Sequence, residues 1–172
     1  TRVRSSAASD VYKRQGEIII WTHATDSVEK ESFMADKWIT YDYDGWKVEL
    51  SLSLLSEMRT DREKALPNET GGVLIGAYDI ARKRIYVVCQ VRAPEDSISS
   101  PTSFIRGCAN LPERLKYIHE TTLDNLTYIG EWHSHPSTNT QRSADDVKLH
   151  KAIVGYNREN CLPGCMMILG SD

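Results

Sequence analysis

The order of apolar and polar residues changes period several times along this 172-residue chain, and each change marks a new element. Residues 46–50 alternate as a strand does. Leu52, Leu55, Met58 and Arg59 then shift toward a helical period that ends before Pro67, which predicts strand, helix and a turn at Pro67-Asn68. The runs GGVLIGAY (71–78) and RIYVVCQV (84–91) flank the charged turn 79–83 and read as an antiparallel hairpin. Residues 93–109 are rich in Ser and Pro and long for a connection, so they form a functional or mobile loop. Beyond it the pattern predicts an amphipathic helix over 111–126 with Pro112 in its first turn, a strand over 128–133, a helix over 143–156 and a strand over 165–169. No internal repeat or heptad interrupts this order.

The first 44 residues behave differently. Residues 1–15 mix Arg, Ser, Ala and Asp with no period, as a disordered or foreign leader does. A short β-rich run at 17–22 precedes a polar stretch at 27–36 that reads as linker or surface helix. Residues 16–44 are therefore expected to be a linker or the end of an upstream domain, and 45–172 the main domain.

Bulk properties narrow the function classes. A formal charge of −3 with no basic stripe argues against a nucleic-acid partner. The longest apolar runs, 18–21 and 166–169, fall far short of the roughly 18 residues that span a bilayer. No apolar stretch follows the basic N-terminal residues, so no secretory signal is read and the cytoplasm is the default location. Cys89, Cys108, Cys161 and Cys165 read as buried or incidental thiols; Cys161 and Cys165 form a CxxxC, but no second ligand pair lies close in sequence.

The chemistry concentrates in Gly130-Glu131-Trp132-His133-Ser134-His135-Pro136 and Ser143-Ala144-Asp145-Asp146. In an extended segment residues i and i+2 share a side, so His133 and His135 can present two imidazoles to one point. A catalytic zinc takes three protein ligands and leaves a position for water, and a carboxylate would complete such a set. Asp145, Asp146 and Glu131 are all candidates, and spacing alone does not choose among them. Plainer readings exist for each part. Ser-x-x-Asp before a helix is a capping pattern, Glu69-Thr70-Gly71-Gly72 could be a turn entering a strand, and Trp132, opposite the histidines, suits core packing. His23, His119 and His150 have no partner at ligand spacing.

His133-Ser134-His135-Pro136, six residues, then Ser143-x-x-Asp146 resembles the JAMM signature of the JAB/MPN/Mov34 metalloproteases, HSHP-x6-S-x-x-D, at every defining position. Asn68-Glu69-Thr70-Gly71-Gly72 resembles the glutamate-bearing strand entry of the same family, and the resemblance spans residues 46–169. It implies one Zn2+ per chain held by His133, His135 and Asp146, with Glu69 as general base and Ser143 stabilising the oxyanion. It also implies an α/β, cytidine-deaminase-like fold, a mixed β-sheet flanked by helices, and hydrolysis of peptide or isopeptide bonds. The wording GEWHSHP is closer to the prokaryotic JAB group, whose members occur beside or fused to E1-like and E2-like enzymes. The expectation is a zinc isopeptidase that processes or deconjugates a ubiquitin-like modifier; the end of an upstream E1-like domain is one reading of 17–22, and a linker is the other. The alternatives are a peptidase acting on a phage-tail or cell-wall peptide, and a non-catalytic MPN scaffold. Intact ligands argue against the scaffold. Family members continue beyond the strand at 166–169, so truncation at the C-terminus is expected.

Overall fold

These runs fold as strands and helices in a computed structural model that describes residues 17–24, 27–34, 37–43, 45–158 and 161–171. The leader read at 1–15 lies outside the described residues. The chain divides into two units, Thr1–Lys37 and Trp38–Asp172. In the first, β1 (Glu17–Ala24) and β2 (Ser27–Met34) form an antiparallel hairpin in the register Glu17 opposite Met34. The polar stretch expected to be linker or surface helix is thus mostly a strand. Its ladder is made of main-chain bonds, which do not depend on side-chain polarity.

In the second unit β3 (Trp38–Tyr43) pairs antiparallel with β4 (Trp46–Ser51), so the sheet begins one strand before the boundary at 45 read from the sequence. The chain continues through α1 (Leu52–Ala65), β5 (Gly71–Asp79), β6 (Arg84–Arg92), a small hairpin of β7 (Ile98–Ser100) and β8 (Ser103–Ile105), and α2 (Leu111–Thr121). It ends with β9 (Thr127–Ser134), α3 (Ala144–Arg158) and β10 (Cys165–Leu169). Six strands form one sheet in the order β10-β9-β5-β6-β4-β3. The β4–β6 and β9–β10 pairs are parallel and the others antiparallel, giving the mixed, helix-flanked α/β architecture that the resemblance implied. No helix among the described residues is long and apolar enough to cross a membrane.

Strand β5 reads as an unbroken apolar run because both its faces are covered. Leu74 joins Leu50, Leu54, Met58, Ile85, Val87, Ile129 and Trp132 on the face that meets α1, while Val73 and Ile75 join Val91 and Leu111 on the face that meets α2. Helix α1 starts at Ser51, whose hydroxyl oxygen accepts from the Leu54 amide at 3.2 Å. Its buried stripe is Leu54, Met58 and Arg62, with an arginine in the third apolar position. Helix α2 ends five residues before the expected Leu126, because Leu123 and Asp124 take left-handed backbone conformations (φ 50° and 60°).

On β9 the pairing with β5 shifts register between Leu74 and Ile75, which puts Ile129 and Trp132 on the same face although one is odd and the other even. Trp132 is buried in the core as expected, and its indole N–H donates to Gln90 Oε1 at 2.9 Å. Next to the shift, a Cβ on Gly130 would overlap the carbonyl oxygen of Cys165 on β10. Gly130→Ala is therefore expected to destabilise the protein by about 2 kcal/mol or more, since main-chain atoms cannot move aside as a side chain can. An unchanged urea midpoint would mean that β9 and β10 are not this close.

Candidate metal centre

The carboxyl end of β9 delivers His133, and the turn that follows it delivers His135. The main chain there is tied on three sides. Ser134, fully buried, donates its amide to the Thr70 carbonyl (2.7 Å) and accepts the Thr70 amide on its hydroxyl (3.0 Å). The His135 amide donates to Leu169 O on β10 at 2.9 Å. From α1, Arg62 donates to the carbonyls of His135 (3.1 Å) and Pro136 (2.8 Å). A further bond sets the chemistry of His135 itself. Its Nδ1 lies 2.7 Å from Asn139 O, and because a carbonyl can only accept, Nδ1 carries the proton and Nε2 keeps its lone pair.

Helix α3 supplies the carboxylate. The Ser143 amide donates to Asp146 Oδ2 (2.6 Å) and the Asp146 amide donates to Ser143 Oγ (3.1 Å), so the capping pattern of the sequence does form. Asp146 Oδ1 nevertheless reaches to 3.1 Å from His133 Nε2, and Oδ2 stands 3.8 Å from His135 Nε2. The two Nε2 atoms are 3.2 Å apart. Tetrahedral ligands on arms of about 2.0–2.1 Å stand about 3.3 Å apart, so these spacings outline one face of such a site. Among the described residues this trio is the group of His, Cys, Asp or Glu side chains that could hold a metal ion.

The protonation states agree with that use. Burial pushes His133 below the ordinary imidazole range, against the pull of Asp146, which favours the neutral ring that a metal needs. Burial would raise the Asp146 carboxyl, but hydrogen bonds from Ser143 and the nearby imidazoles outweigh it and hold the acid below its usual range.

The trio opens on a cleft of about 760 Å³ whose lining includes Glu69, Ser143, Arg106 and Phe104. Glu69 is buried at the entry to β5, with its carboxyl pushed up by that burial; His135 opposes the shift and Asp146 adds to it. Its backbone is held by β7, where Ser100 O accepts the Glu69 amide at 2.9 Å and the Ser99 hydroxyl donates to the Glu69 carbonyl. A Cβ on Gly71 would collide with the Trp132 carbonyl oxygen and the Phe104 ring, so the glycine after Glu69-Thr70 is what lets β5 lie this close to β9.

Of the three acids left open by spacing, the structure brings Asp146 to the histidines. Asp145 points to solvent beside Lys148 (2.7 Å). Glu131 is engaged by Arg106 through two bonds of 2.9 and 2.8 Å. His119 pairs with Asp124 and His150 accepts from Arg142, both away from the trio. Arg62, Asn139 and Arg106 were not singled out by the sequence, and Ser134 stood only as a letter of the HSHP run with no role; a charged residue in the apolar stripe of α1 was the one available sign of Arg62. The CxxxC does not form a pair: Cys161 is exposed, and burial pushes the Cys165 thiol up to about 11.

Comparison with known proteins gives likenesses at the level of family, sequence and structure. The family model described as prokaryotic homologs of the JAB domain matches residues 51–172. A protein named CD-NTase/cGAS isopeptidase from Enterobacter hormaechei subsp. hoffmannii is 33% identical over 148 residues, which cover 85% of this chain and 81% of that one. The solution structure of a Desulfitobacterium hafniense protein is 28% identical over 58% of this chain and 64% of that one, with a TM-score of 0.42.

Two outcomes are expected from this geometry. Elemental analysis should find about one divalent metal ion per chain, lost in the His133→Ala, His135→Ala double variant. Arg62→Ala should weaken metal binding by about 10- to 100-fold in a competition titration, because it frees the turn that aims His135. Unaltered affinity would leave Arg62 with a packing role only.

Proposed function

The chain belongs to the prokaryotic JAB family, and on that premise we propose that it is a zinc-dependent isopeptidase acting on conjugates of a ubiquitin-like modifier. The observation that carries this reading is the convergence of His133, His135 and Asp146, 3.1–3.8 Å apart, on a cleft that also holds the buried Glu69. Zn2+ held by these three residues, one ion per chain, would supply a Lewis acid that polarises the scissile carbonyl and makes water acidic near pH 7.

The remaining steps belong to the chain's own side chains. Glu69 takes a proton from the attacking water; its burial raises its affinity for that proton, as a general base working near neutrality requires. The water oxygen bonds to the scissile carbon, the C–N bond breaks, Glu69 returns the proton to the departing amine, and the second water proton follows it, so that the products are a carboxylate and an ammonium. Ser143 Oγ accepts the Asp146 amide, and its hydroxyl, which rests on the Asp146 carboxylate, turns to the oxygen that becomes negative in the transition state. Ser143 therefore complements charge that is absent from the ground state.

The name of the enterobacterial relative favours an isopeptide over a linear peptide, and a conjugate of a CD-NTase/cGAS-type protein is the one to try first. Conjugation of this kind implies an E1-like or E2-like enzyme fused to the chain or encoded nearby, and a cytoplasmic reaction. The complete donor set weighs against a scaffold role.

The experiment uses a ubiquitin-like protein joined through its C-terminus to the Nε of a labelled lysine peptide, compared with a linear peptide of the same residues. Glu69→Gln should cut the rate by about 10²- to 10⁴-fold with metal content unchanged. Normal cleavage by that variant would refute the role of Glu69, and faster turnover of the linear peptide would redirect the reading to an ordinary peptidase.

A further inference from the structure

Glu69 projects from a short entry segment whose backbone is held by β7, through Ser99 and Ser100. Strands β7 and β8 face one another in the register Ile98 opposite Ile105, and Arg106 follows β8 directly. Its guanidinium binds in two directions. It donates to Gly107 O at 2.8 Å within its own loop, and through Nε and Nη2 to both carboxylate oxygens of Glu131 on β9. Glu131 is 9% exposed and Arg106 24%, so this pair is shielded from the screening that weakens surface ion pairs. The Tyr128 hydroxyl, 3.3 Å away, also reaches Glu131.

The base of the same loop is closed differently. Asp96 accepts the amides of Cys108 and Ala109, each at 2.9 Å, and Ser97 Oγ accepts the Gly107 amide at 2.9 Å. Those bonds shape the loop but do not attach it to the sheet. Arg106 does, and it attaches it to the strand that carries His133, two residues after Glu131.

We propose that the Arg106–Glu131 pair clasps the β7–β8 hairpin to β9 and thereby fixes the distance from Glu69 to the metal ligands, which makes Arg106 and Glu131 positioning residues for proton transfer. This rests on the reading of Glu69 as the base. The chain of contact runs Glu131, Arg106, β8, β7, Glu69, and its links are hydrogen bonds, one strand pair and the peptide bond that joins Arg106 to β8. A displacement of about 1 Å at a reacting group can cost about 100-fold in rate, so a clasp at the edge of the cleft can control the rate without touching the reacting atoms.

The test compares Arg106→Gln, Glu131→Gln and the charge-swapped double variant Arg106→Glu, Glu131→Arg with wild type on the lysine-isopeptide probe, with hydrogen exchange read at the Glu69 amide. Each single variant is expected to lower kcat about 10- to 100-fold, leave KM within about threefold, keep the metal and speed exchange at Glu69. The swap is expected to recover most of kcat and protection. Adding Arg106→Gln to Glu69→Gln should cost nothing more, because both act on one proton transfer. Unchanged kcat, a rise in KM alone, loss of metal, or full additivity with Glu69→Gln would each overturn the clasp. Wild-type rates in Glu69→Gln alone would instead overturn the base assignment, whatever exchange at Glu69 shows.

Discussion

The register of β5 against β9 sets where everything else can stand. Gly71 lies opposite His133, and Ser134 exchanges hydrogen bonds with Thr70 across a sequence separation of 64. That pairing brings Glu69 and His133 to one cleft. A slip of one residue would turn His133 toward the core and Trp132 toward the cleft. Burial forbids the slip: Trp132 fills the α1 side of the sheet among Leu74, Met58 and Ile85, and its indole nitrogen has Gln90 as a partner there. The hydrophobic core thus acts as the ruler for the polar site.

The cap of α3 shows why two readings of the same residues need not compete. Ser143 and Asp146 form the reciprocal hydrogen bonds of an ordinary helix start, and the same bonds fix the Asp146 carboxylate with one oxygen turned to His133. The side chain that stabilises the helix end is held in one orientation by doing so. Its aim at the imidazoles therefore requires little further ordering when an ion binds.

Much of this was legible in the sequence because the decisive constraints are local. The approach of the His133 and His135 imidazoles follows from their two-residue spacing at the end of a strand, and the β5–β6 hairpin and the last three elements follow their own periods closely. The illegible parts depend on partners far along the chain or on backbone geometry. Arg62 contacts a carbonyl 73 residues away and Arg106 a carboxylate 25 away, and neither position carries a local mark of its partner. Strand β2 is polar and was read as linker, and α2 stops where two residues turn left-handed, a feature no apolar period records. The loop at 93–109, open between function and mobility on composition, holds a hairpin bonded to Glu69.

The partner of His135 Nδ1 is the main-chain carbonyl of Asn139, not a side chain. The proton on the imidazole is therefore governed by the path of the backbone, which Ser137 Oγ and Asn139 Oδ1 help to shape by accepting the amides of Asn139 and Gln141 at 3.3 and 2.9 Å. The lone pair of this ring is thus aimed by geometry and not by the chemistry of a neighbouring side chain.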